Sequence, residues 1–279
     1  MPKRRKKQNI LWRALRFVVV GLAKGIWWVL KNAVLGLHHL FILLFRKIKE
    51  KKKEIALRKQ PHYSTPAAFA SLEVVQRVSG EFEVFEKRLL EESLIVLIFG
   101  KRGSGKSALG FRVLENIHFK TQRKCYVLGV RQEVLPQWIA SVEDIDSVAN
   151  GGIVLVDEGA LAFSSRESMA GKNRELGKLM AIARHKDLTL LFITQNTGML
   201  DKNVLKLADT LFIKEGSLLQ LEMERPEIKK FYEKATKAFA ELSGDRKRLV
   251  YIVDSDFEGV IGAGLPGFWD VRISKNKSG

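Results

Sequence analysis

The stretch LIVLIFGKRGSGKS, Leu94 to Ser107, decides how this chain folds. Its first six residues are apolar and rich in branched side chains, which predicts a strand buried on both faces. GKRGSGKS then fits G-x-x-x-x-G-K-[ST], and SALGFRVLENI carries the spacing of an amphipathic helix. Strand, glycine-rich loop and helix in that order predict a phosphate cradle. Glycines are needed there because backbone N–H groups must turn inward, where a Cβ would obstruct an approaching oxygen.

Gly100, Lys101, Arg102, Gly103, Ser104, Gly105, Lys106, Ser107 and Ala108 are therefore the expected nucleotide-binding residues. Lys106 is placed to reach the β- and γ-phosphates of ATP. Ser107 is placed to ligate Mg²⁺, and the helix N-terminus adds the positive end of its dipole.

Two further stretches complete the expected site. In GGIVLVDEGALAF, Ile153–Val156 read as a strand, with Asp157 where it leaves the core as a second Mg²⁺ ligand. Glu158 follows as the carboxylate that polarises a water for attack on the γ-phosphate. In DLTLLFITQN, a buried strand ends at Gln195, a polar side chain suited to sensing the γ-phosphate or the attacking water. An adjacent Asp-Glu pair favours hydrolysis over transfer to a small-molecule acceptor.

Five strands are expected: Leu94–Phe99, Cys125–Val130, Ile153–Val156, Leu188–Thr194 and Thr210–Lys214, with helices between most of them. They predict an α/β fold with an open, mainly parallel sheet, the P-loop NTPase fold of the additional-strand, catalytic-glutamate type. Ligand then binds at the carboxyl ends of the strands. Upstream, AAFASLEVVQRV and EFEVFEKRLLEE read as helix, bent near Ser79–Gly80. Downstream, a helix and a last strand or hairpin follow, with Tyr232, Phe239 and Tyr251 as packing residues. The single Cys125 excludes an intramolecular disulfide and fits core burial.

Charge divides the chain. Residues 1–60 hold 17 Lys/Arg against Glu50 and Glu54, whereas residues 61–279 hold 31 basic against 29 acidic residues. The net charge of +17 thus belongs almost wholly to the first module, and the near-neutral body shows no electrostatic footprint for nucleic acid. The expected organisation is a basic, apolar helical segment (1–60), a hinge and helical lead-in (61–93) and an ATPase domain (94–279).

Residues 10–45 are apolar and Trp-containing. As one helix, residues 8–45 would run about 57 Å, beyond a hydrocarbon core of about 30 Å. Arg13, Arg16, Lys24, Lys31 and His38 share a helical stripe about 80° wide, the pattern of a segment lying on anionic lipid. The alternatives are a spanning helix from Gly25 to Phe45, with Lys31 snorkelling or facing protein, and a helix buried in a soluble or oligomeric assembly. Either membrane mode expects contact with lipid through residues 10–45, with the ATPase domain in the cytoplasm.

The phosphate loop, LVDEGALAF, RHKDLTLLFITQN and LDKNVLKLADTLFIKE together resemble the FtsK/HerA translocase superfamily. Within it they look most like zonular occludens toxin-like assembly ATPases of filamentous phages and archaeal relatives. The residues carrying the likeness are Arg184, His185, Thr194, Gln195, Leu200 and Asp201, with a weaker echo in FEGVIGAGLPGFWD. An N-terminal membrane segment departs from the phage proteins. The resemblance implies a homo-oligomeric ring, such as a hexamer, that moves DNA or a nucleoprotein. A ring also implies a cation donated in trans to the γ-phosphate, for which Arg184 is the first candidate and Arg166 the second. Lys172 and Arg174 are candidates for DNA phosphates. The competing expectations are an ATPase of protein export or membrane remodelling without direct DNA binding, and a nucleotide switch.

Overall fold

The computed structural model describes residues 65–159, 169–195, 197–200, 202–270 and 272–273, together with Trp27. The chain divides into two compact units, Met1–Gln60 and Pro61–Gly279. The basic apolar segment, including residues 10–45, lies outside the described residues but for Trp27, as do Arg166 and Asp201. No helix among the described residues is long and apolar enough to cross a membrane.

Among the described residues nine strands form one sheet: β1 (Glu73–Gly80), β2 (Ile95–Phe99), β3 (Cys125–Leu128), β4 (Ile139–Val142), β5 (Ile153–Asp157), β6 (Thr189–Thr194), β7 (Thr210–Ile213), β8 (Leu249–Val253) and β9 (Phe257–Gly262). Their order is β1-β9-β8-β7-β2-β6-β5-β3-β4. From β7 to β4 every pairing is parallel, while β7–β8, β8–β9 and β9–β1 are antiparallel. The helices are α1 (Phe82–Glu91), α2 (Lys106–Thr121), α3 (Met169–His185), α4 (Lys202–Leu207), α5 (Leu218–Met223) and α6 (Pro226–Ala240).

Because side chains alternate across a strand, β2 feeds both faces of the sheet. Val96 and Ile98 join a core with Phe85 of α1 and Leu114 of α2. Ile95, Leu97 and Phe99 join a second core with Met180 of α3 and Tyr232 of α6. All five residues of β2 are buried, as a central strand covered on both sides requires. Phe99 meets Tyr232 edge to face at 5.4 Å between ring centroids. Tyr232, Phe239 and Tyr251 are buried packing residues. Cys125 is buried as well, and desolvation pushes its thiol pKa up.

All five expected strands are present, with ends that differ by no more than two residues. The helix expected over Ala67–Val78 is not. Its second half is strand β1, bulged between Val74 and Gln76 and again between Arg77 and Ser79, and paired with β9. Val74, Val75 and Val78 are β-branched, and a waiting partner strand outweighs helical spacing in such a segment. Strand β4 was not anticipated, because IASV is too short to carry an alternation signal.

One buried ion pair ties Ala68 and the segment Leu265–Gly267 to α2. Arg112 and Glu115 approach to 2.9 Å with side chains 5% and 0% exposed. Arg112 donates to the carbonyls of Ala68 and Leu265. Glu115 accepts from the N–H groups of Ala68 and Gly267. Burial lowers the Arg112 pKa, with Glu115 opposing that fall. Replacing Arg112 by Met leaves a buried carboxylate without its cation, so a loss of about 3–5 kcal/mol in unfolding free energy is expected from denaturant titration.

Candidate active site

The loop after β2 is held open by its own backbone geometry. Gly105, the residue before α2, sits at φ 90°, and a Cβ there would lie 2.8 Å from the Lys247 carbonyl oxygen. Gly105→Ala therefore suffers both left-handed strain and a clash with backbone. Nucleotide affinity measured by equilibrium binding should fall at least about tenfold.

Lys106 is 6% exposed and donates to the carbonyls of Gly100 (2.8 Å) and Lys101 (2.9 Å). Its ammonium is thereby folded over the loop that it is expected to serve. The Ser104 hydroxyl is buried and makes no hydrogen bond among the described residues. A phosphate oxygen is an acceptor of the kind it lacks. Lys101 pairs with Glu215 just beyond β7 at 2.5 Å, and its N–H donates to the Glu215 carbonyl at 2.9 Å. Lys101 thus serves the cradle through backbone, not charge.

A cavity of about 1330 Å³ opens over the loop. Gly103, Gly105, Lys106, Ser107 and Ala108 line it from the loop, and Asp157 and Gln195 line it from the ends of β5 and β6. Ser107 and Asp157 also share a small cleft beneath. A hydroxyl and a carboxylate facing one space are hard oxygen donors, a set that suits Mg²⁺ completed by water and phosphate. Asp157 and Ser107 are the residues that would hold it.

Glu158 is clamped from the neighbouring strand. Its Oε2 accepts from the Thr194 hydroxyl and from the Gln195 N–H, both at 2.8 Å. The parallel pairing of β5 with β6 places Asp157 opposite Ile193, so the end of β6 arrives beside Glu158. Strand β6 also lies between β2 and β5. The strand that intervenes between loop strand and acid strand thus leads into Gln195.

That is a P-loop NTPase fold.

No protein-family model matches the chain, and no curated protein matches it in sequence. Solved structures do. The chain is similar to the genome-packaging NTPase B204 of Sulfolobus turreted icosahedral virus 2 in complex with AMP, at 15% identity and a TM-score of 0.43. That match covers 62% of this chain and 98% of the viral protein. It is also similar to the pCW3 conjugation coupling protein TcpA with ATPγS, at 12% identity and a TM-score of 0.43, over 65% of this chain and 62% of that one. A KaiC-like protein of Pyrococcus horikoshii matches at 14% identity and a TM-score of 0.39, over 67% and 90%. At these scores the fold assignment stands on the loop and the strand order, not on the overlap.

Arg184 lies elsewhere. It ends α3 at the opposite end of the sheet from the loop, where its guanidinium donates to the Leu207 carbonyl and to Asp209, each at 2.9 Å. Asp209 in turn accepts from the N–H of Ile95, the first residue of β2. Within one chain, Arg184 is a brace between α3 and the start of β7, and the structure does not bring it to the phosphate loop. Of the other basic candidates, Arg174 is exposed on α3.

Sequence reasoning missed Lys214. It follows β7, is 1% exposed, and donates to the carbonyls of Lys247 (2.7 Å) and Leu249 (2.6 Å) beneath the loop. A Cβ on Gly100 would lie 2.7 Å from its Cβ. The signal available was a lysine closing an apolar strand, which reads equally as a solvated strand end. Burial pushes its pKa down to about 7, Asp245 and Glu215 raise it, and Lys106 lowers it further. The unfolded chain, with an ordinary lysine, binds an extra proton between about pH 7 and 10.5. Stability therefore rises with pH across that window and is lost again as pH falls toward 7. Lys214→Met should remove this rise, read as denaturation midpoints at pH 7 and pH 9.5.

Proposed function

We propose that this chain hydrolyses ATP and couples the reaction to moving DNA or a nucleoprotein, as a homo-oligomeric ring held at a membrane. One observation carries the hydrolysis: Glu158 is fixed by Thr194 and Gln195 beside Asp157, at the strand ends over a phosphate loop. A carboxylate so oriented is a general base for water, and a kinase would need an acceptor site in its place. Lys106 and the loop N–H groups hold the phosphates, Ser104 adds a donor, and Gln195 faces the reacting end. Mg²⁺, when bound by Ser107 and Asp157, neutralises charge between the β- and γ-phosphates.

DNA as cargo is supported by the motif resemblance to FtsK/HerA translocases. The membrane reading is supported by the basic, Trp-containing residues 10–45. The competing reading, an ATPase for protein export or membrane remodelling, draws on that same segment. The two separate when ATP turnover by the full chain is measured with duplex DNA, with anionic vesicles and with neither. Stimulation by DNA that fades at high salt supports the DNA reading. Stimulation by vesicles alone supports the other. Co-flotation of the full chain with anionic but not neutral vesicles is the expected result for the N-terminal segment, and equal flotation with both would contradict an electrostatic membrane contact.

A further inference from the structure

The cavity over the phosphate loop is larger than a triphosphate requires, and its far side has a different character. Strand β8 runs antiparallel to β7, and β9 antiparallel to β8. The start of β8 and the end of β9 therefore emerge at the same end of the sheet as the loop. The turn before β8 contributes Lys247 and Arg248 to the cavity, and the segment after β9 contributes Ala263, Leu265 and Trp269. The turn is charged, with Asp245 beside the two cations, and the segment after β9 that lies next to it is apolar.

That wall is rigidly built. Ala263 donates its N–H to the Arg248 carbonyl at 2.9 Å. Arg112 of α2 donates to the Leu265 carbonyl, and Glu115 of α2 accepts from the Gly267 N–H at 3.0 Å. The Trp269 ring lies 6.2 Å from that of Phe111, also on α2. The helix that begins at the phosphate loop thus positions this segment at both its middle and its end. Yet Leu265, on that fixed backbone, is 62% exposed. A large apolar side chain pinned by a buried ion pair and left facing a cavity is the usual make-up of a small-molecule wall.

We infer that Ala263–Trp269 is the base-binding wall of the nucleotide site, with Leu265 and Trp269 taking the planar face of a purine while the loop holds the phosphates. This rests on the reading of Gly100–Ser107 as a phosphate cradle and adds the half of the nucleotide which that motif does not address. Apolar and aromatic contact rewards area, so a purine gains more than a pyrimidine.

The test compares ATP with inorganic tripolyphosphate, each with Mg²⁺, by equilibrium binding to the full chain and to Leu265→Ala. The exposed position of Leu265 makes the variant safe for folding. The expected result is an ATP Kd raised about tenfold with tripolyphosphate affinity unchanged. Unchanged ATP affinity in the variant overturns the wall, as does an equal loss for both ligands. A wild-type chain that binds neither ligand overturns the phosphate cradle itself, and the wall with it.

Discussion

Replacing Lys106 by Ala is expected to remove ATP binding at working concentrations and, with it, all turnover. A charge-assisted hydrogen bond is worth about 1.5–3 kcal/mol, so losing two to phosphate oxygens costs about 10²–10⁴ in affinity. Neither adjoining lysine can substitute. Lys101 is paired with Glu215, and Lys214 is spent on the carbonyls of Lys247 and Leu249. The variant should also lose about 1–2 kcal/mol of stability without nucleotide, because the Gly100 and Lys101 carbonyls lose the donor that Lys106 supplies. Binding and denaturant unfolding measured on one preparation separate the two effects. A variant that unfolds but binds normally when folded would contradict the phosphate role.

Glu158→Gln should show the opposite pattern, with ATP retained and turnover reduced about 10²–10⁴-fold, the range for loss of a positioned general base. The amide oxygen of Gln can still accept from Thr194 and from the Gln195 N–H, so the strand ends stay joined. What disappears is basicity. Thr194→Val supplies the complement. It keeps the carboxylate but removes one of its clamps, so an intermediate fall in kcat with little change in ATP affinity is expected. Binding lost together with turnover in Glu158→Gln would mean that the residue holds nucleotide rather than water.

The parts of this site that were legible in sequence share a physical reason. Gly100–Ser107, Asp157, Glu158 and Gln195 all follow apolar strands, and buried strands in a parallel sheet announce themselves as unbroken runs of branched residues. Where each run ends, the first polar residue falls at the ligand edge. The same logic fails where the run is half exposed. Strand β1 shows mostly exposed residues, so its sequence has no alternation strong enough to defeat a helical reading, and only β9 decides it.

Other features were hidden because they depend on long-range contact. Arg112 and Glu115 read as two charges on one helix. Their meaning comes from Ala68, Leu265 and Gly267, which are far away in sequence. Lys214 is buried by a turn more than thirty residues later. Arg184 shows what one chain leaves open. The direction of α3 relative to β6 carries it to the opposite end of the sheet from its own loop, where it braces α3 against Leu207 and Asp209, whereas the role expected of it lies in a neighbouring subunit's site. Helix direction follows from topology, which no local pattern encodes.

The central claim is that one site, built from Lys106, Asp157 and Glu158, turns ATP hydrolysis into movement of nucleic acid. Phosphate release by the full chain, with Mg²⁺ and increasing duplex DNA at low salt, tests it most directly. The expected rate rises with DNA in the wild-type chain, returns to its basal level at high salt, and is about 10²–10⁴-fold lower throughout in Glu158→Gln. A rate indifferent to DNA, or one undiminished in Glu158→Gln, would contradict this reading.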